Sequence, residues 1–124
     1  MDSTRIVATA VMALRIAYGV GLIAAPARLA LRWLGPAGER APAQVPLRGL
    51  GAREVVLHAG GLAAALRGAP LRPWLAASIA GDLTDIAATV GGRAQLPEGA
   101  AAATAIVAGS SALLSAGLAV AADS

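Results

Sequence analysis

The chain contains no cysteine, no phenylalanine and no lysine. Without cysteine there is no disulfide, no thiolate nucleophile and no Cys-ligated metal. Without phenylalanine the aromatic residues are only Trp33, Trp74 and Tyr18, too few rings for the usual core of a soluble domain. Charge is also scarce, at 14% of residues against 57% hydrophobic, and the mean hydropathy is +0.69. Soluble domains carry about 25% charged residues, so this composition belongs with membrane proteins. The ten basic residues are all arginine and leave a net charge of only +3. Scattered between apolar runs, they make no basic stripe for a nucleic acid. At 124 residues the chain is one domain, residues 1–124.

What is present is an alternation of apolar runs and proline-bearing gaps. Pro26, Pro36, Pro42 and Pro46 fall in the first gap, Pro70 and Pro73 in the second, Pro97 in the third. Proline lacks the amide donor and breaks helix interiors, so the gaps read as breaks between helices at about 6–25, 49–66, 74–90 and 100–122. Alanine dominates and period-2 alternation is absent, which excludes strands. The fold expected is all-α, an integral membrane four-helix bundle.

The last segment carries no charge over a length that matches a hydrocarbon core of about 30 Å. A soluble bundle helix would need a polar face, and this one offers only Thr104, Ser110, Ser111 and Ser115. The first segment sets nine Ile, Val, Leu and Met residues against Arg15. Each favours insertion by ~0.3–0.6 kcal/mol while a central arginine opposes it by ~2.5–3.5 kcal/mol, so that segment roughly breaks even. Its length, and its division by Arg15, set it apart from a secretory signal peptide despite the Ala24-Ala25-Pro26-Ala27 sequence. Segments two and three hold Arg53, Glu54, His58, Asp82 and Asp85 and insert poorly alone; the short link Arg67–Pro73 makes them an antiparallel hairpin that enters together.

Residues 26–35, with Arg28, Arg32 and Trp33, suit either a short helix in the headgroup layer or an extension of helix one. Residues 36–47 read as an extended loop. Arg5, Arg67 and Arg72 lie on the side of the termini, against Arg28, Arg32, Arg40, Arg48 and Arg93 on the other, which leans the long loop toward the cytoplasm.

Ionisable groups inside spanning helices are costly and face the bundle interior, where they pair or work. Glu54 and His58 are four apart on one face, and Ser78, Asp82, Asp85 and Thr89 draw a stripe down helix three. At ~1.5 Å rise per residue, counted from the long-loop side, Arg15, His58 and Asp82 lie ~12–15 Å deep and Arg53, Glu54 and Asp85 ~6–8 Å deep. Two layers are therefore expected, each pairing an arginine with an aspartate. Two arginines face three carboxylates, so with His58 neutral the buried set sums to one negative charge, and a proton held on His58 or a carboxyl would relieve it. His58, Glu54, Asp82 and Asp85 could ligate a metal, but Arg15 and Arg53 nearby argue against a cation. Gly49, Gly60, Gly61, Gly81, Gly109 and Gly117 are expected to let helices approach closely.

The runs Leu14-Arg15-Ile16-Ala17-Tyr18-Gly19-Val20-Gly21, Arg48-Gly49-Leu50-Gly51-Ala52-Arg53-Glu54 and Gly81-Asp82-Leu83-Thr84-Asp85 resemble those of small four-helix bacterial membrane proteins of the DoxX-like kind. The resemblance covers most of the chain. It implies a multi-pass protein of the bacterial cytoplasmic (inner) membrane, some relatives being similar to subunits of membrane redox complexes. Bis-His haem within one chain is excluded, since His58 is the single histidine.

Two functions compete. In the first the protein is an intramembrane enzyme that isomerises, cyclises or hydrates a lipophilic small molecule by acid–base chemistry. Asp82 or Asp85 would be the acid, Glu54 and His58 its partners and Arg15 the group that tunes them, with no cofactor and no metal. In the second the polar core only fastens helices of an accessory subunit, whose partner is a membrane protein or a second copy. A proton-coupled carrier is disfavoured, because four helices without an internal repeat offer little for alternating access.

Overall fold

The computed structural model describes residues 2–122, and all its regular structure is helical. Helix α1 spans Ser3–Ala24, α2 Pro26–Leu29, α3 Leu31–Leu34, α4 Ala41–Arg67, α5 Arg72–Gly91 and α6 Ala100–Ala122, with 3-10 turns at Gly35–Glu39 and Arg93–Gln95. The four long helices run alternately up and down. The start of α1, the α4–α5 link and the end of α6 share one end; α2, α3 and the α5–α6 link close the other.

Local chemistry sets these limits. Asp2 caps α1 by accepting from the Arg5 amide at 2.8 Å, and Pro26, without an N–H, ends that helix and begins α2. Gly68 takes the left-handed conformation (φ 70°) that stops α4. Four arginines donate to carbonyls near helix C-termini: Arg48 to Ile23 of α1, Arg5 to Ala64 and Ala65 of α4 and to Ala69 just beyond it, Arg93 to Val90 of α5, and Arg72 to Ala119 of α6.

The region expected as an extended loop, 36–47, is instead a 3-10 turn followed by the first two turns of α4. Pro42 sits in the first turn, where its missing amide costs nothing, while Pro46 lies inside the helix. Residues 26–34 fold as two single turns against the bundle rather than as one continuous helix or as an extension of α1.

The expected hairpin of α4 and α5 forms, but the intimate pairs are α1 with α4 and α5 with α6. Gly19 and Gly51 let α1 and α4 cross: a Cβ on either would stand 2.6 Å from the other's carbonyl oxygen. Gly60 and Gly61 admit Trp74 and Met12. Gly49, Gly81, Gly109 and Gly117, expected at close approaches, face open space. One apolar cluster, Ala8, Met12, Ala64, Ala65, Leu71, Leu75 and Leu118, fills the end near the termini; a smaller one, Leu22, Ala30 and Leu47, lies toward the other end.

Buried ionisable groups stand beside exposed apolar ones. Glu54, His58 and Asp82 are 5%, 1% and 3% exposed, whereas Leu113, Val56 and Val107 are 76%, 72% and 71% exposed. Among the described residues α1 and α6 are each long and apolar enough to cross a membrane.

Candidate functional site: a guanidinium clamp under a cavity

The centre of the site is Arg15 on α1. The Gly19–Gly51 crossing fixes the register of two antiparallel helices, so one turn further along α4 from Gly51 places Glu54 opposite Arg15. Arg15 Nε and Nη2 donate to Glu54 Oε2 and Oε1 at 2.9 and 3.1 Å. Nη1 and Nη2 donate to Asp82 Oδ2 and Oδ1 of α5 at 3.3 and 3.0 Å, and Nη1 also donates to Ser111 Oγ of α6. All five N–H donors of the fork are engaged, and one side chain ties all four long helices.

His58 stands behind Glu54, one turn along α4. Its Nδ1 lies 2.8 Å from the Glu54 backbone carbonyl and 3.3 Å from Glu54 Oε2. A carbonyl can only accept, so Nδ1 carries the proton; Nε2 pairs with Ser78 Oγ of α5 at 3.1 Å. Clamp and histidine together hold two carboxylates against one guanidinium.

The two expected layers do not exist. Arg15, Glu54 and Asp82 meet in one knot, and Arg53 and Asp85 stay out of it. Two layers would require residue 49 to stand level with residue 25, whereas the glycine crossing sets residue 51 beside residue 19. Arg53 is exposed. Asp85 is half-buried and has no hydrogen bond or ion pair to any described residue.

Asp85 faces a cavity of about 400 Å³ whose floor is Arg15, Glu54, Asp82 and Ser111. One face of α6 forms a wall of small residues, Ala100, Ala103, Thr104, Val107 and Ala108, and Tyr18 stands on the α1 side. Leu29, Arg32 and Trp33 of the short helices close the outer end with Leu50. Trp33 Nε1 donates to Thr89 Oγ1 at 2.8 Å, which accounts for the lower end of the polar stripe on α5. The same indole borders a second cavity with Pro46, Leu47 and Arg53.

The sequence reading placed Arg15, Glu54, His58, Asp82 and Asp85 in the site, and the structure brings the first four together, with Asp85 a turn away on the cavity wall. It missed Ser111, Trp33 and Tyr18 as lining groups. Ser111 had a legible signal, being a hydroxyl on an otherwise apolar helix. Among the described residues no three His, Asp or Glu side chains are grouped to hold a metal ion. Compared with known proteins, the chain matches no family model, no curated protein and no solved structure.

Proposed function

We propose that the protein is a multi-pass membrane enzyme whose cavity takes a lipophilic small molecule and moves a proton to or from it. The observation that carries this reading is Asp85, a carboxyl without a partner on the wall of a largely apolar cavity, directly above a charge knot that is otherwise fully paired. Cavities of 300–1,000 Å³ with few polar groups are typical small-molecule sites. A group spent on holding the fold is not available to a ligand; Asp85 is. In this reading Asp85 exchanges the proton, the carboxylates of Glu54 and Asp82 hold a fixed negative potential at the floor, and His58 positions Glu54 from behind. Protonation of an alkene, epoxide or carbonyl, followed by isomerisation, cyclisation or hydration, needs no more than this. Burial of Glu54, His58 and Asp82 inside the bundle, with Val56, Leu66 and Leu83 exposed outside it, supports the membrane location.

A second reading, in which the knot only fastens the bundle of an accessory subunit, is favoured by the complete pairing of Arg15, Glu54, Asp82 and His58. It leaves the cavity and Asp85 without a purpose. Asp85→Asn separates the two. The substitution keeps the shape and breaks no bond, so the melting temperature in detergent should stay at the wild-type value. Lipid extracts of cells expressing wild type should contain a product, found by mass spectrometry, that falls by ~10²-fold or more with the variant. Identical extracts from wild type, Asp85→Asn and empty-vector cells would leave the accessory reading in place.

A further inference from the structure

From the charge and aromatic content of the cavity we infer that its ligand is a lipophilic cation, a molecule with an apolar body and a positive charge such as a protonated or quaternary amine. The inference rests on the reading of this cavity as a site for a lipophile and specifies which kind. The lining carries three carboxylates, Glu54, Asp82 and Asp85, against two guanidinium groups, Arg15 and Arg32. These are not equivalent. Arg15 spends every donor on the knot, and Arg32 is exposed on α3 at the outer end, where water and headgroups screen it. The opposing charge missing from the interior is positive, and Asp85 is the group that lacks it. Arg53 is the positive charge that acts most strongly on Asp85, but it does so from an exposed position beside the second cavity, with no hydrogen bond or ion pair to it, so the contact position at the Asp85 carboxyl stays open.

Aromatic rings point the same way. The chain has one tyrosine and two tryptophans, and Tyr18 and Trp33, two of these three rings, line this one cavity. Aromatic faces attract cations, most strongly where water is excluded, and a carboxylate beside aromatic rings is a common way to hold an ammonium group. The rest of the lining, Leu29, Leu50, Ala103 and Val107, suits an apolar body. An anionic amphiphile would meet Asp85 and the excess charge of the floor, and burying like charges together is costly. The same field favours positive charge that develops on a ligand when a carboxylic acid protonates it, so binding preference and proposed chemistry share one cause.

The test compares ions of the same size and opposite charge. Protein in phosphatidylcholine nanodiscs, with empty nanodiscs as blank, is titrated with tetraphenylphosphonium, tetraphenylborate and neutral triphenylmethane, reading tryptophan fluorescence. Saturable binding of the phosphonium ion is expected, at least tenfold tighter than either other probe and weakened at least tenfold by Asp85→Asn. Equal binding of cation and anion, or wild-type affinity in Asp85→Asn, overturns the inference. Saturable binding of triphenylmethane alone also overturns it, while the reading as a lipophile site stands. Binding of none of the three overturns both.

Discussion

Arg15 shows why a single side chain can decide whether this bundle holds. It touches three other helices through two carboxylates and a hydroxyl, and none of its donors is left over. Replacing it by alanine leaves Glu54 and Asp82 facing each other without a cation, a loss of about 3–5 kcal/mol by analogy with other broken buried pairs. Lysine should not rescue it, because one ammonium point charge cannot fork to two carboxylates. Removing Asp82 alone leaves Arg15 paired to Glu54 and relieves the excess negative charge, so Asp82→Asn should cost far less than Arg15→Ala. Thermal unfolding of Arg15→Ala, Asp82→Ala and the double variant in detergent checks the coupling, and the double variant should be clearly more stable than the sum of the single losses implies. Additive losses would show that the two residues do not interact.

At the scale of elements, the crossing of α1 and α4 depends on the absence of two Cβ atoms. Gly51→Ala would drive a methyl group to 2.6 Å from the Gly19 carbonyl, and backbone on both sides leaves nothing flexible to yield. The helices must separate, which also pulls Glu54 from Arg15; a loss on the order of 1–3 kcal/mol is expected from overpacking alone. Gly81→Ala and Gly109→Ala meet open space and should raise stability by about 0.5–1 kcal/mol through helix propensity. Melting temperatures of the three variants test this, and a harmless Gly51→Ala would mean the helices do not cross there. The capping arginines belong to the same scale. As a sequence pattern they serve only as a topology signal, yet Arg5, Arg48, Arg72 and Arg93 also donate to carbonyls near helix ends.

For the molecule as a whole, the proposal of a spanning bundle requires that the two ends emerge on opposite sides. The absence of native cysteine makes this simple to measure. Ser3→Cys lies at the end that carries the termini and Ala37→Cys in the 3-10 turn at the other end, both exposed. A membrane-impermeant maleimide applied to intact cells should label one and not the other, and the protein should resist extraction by alkaline carbonate. Equal labelling of both positions, or release into the aqueous fraction, would refute the spanning arrangement.

Composition and proline spacing by themselves determined that the chain is helical, the approximate bounds of three of the four long helices, and four of the ionisable residues that meet inside, Arg15, Glu54, His58 and Asp82, though not that Arg53 stays exposed. These follow from local rules: an amide that proline lacks, a run of alanine without alternation, a charge set within an apolar run. The start of α4 was not legible, because Pro42 and Pro46 are read as breakers unless one knows that the first falls in an opening turn. Only the tertiary structure decided which charges meet. Register between helices is set by where backbones touch, and Gly19 and Gly51 touch because neither has a side chain, a fact about a pair of positions that neither position reveals alone. From that one contact the rest follows: Glu54 falls opposite Arg15, the guanidinium consumes both buried carboxylates, and Asp85, three residues beyond Asp82, is left facing a cavity instead of a partner.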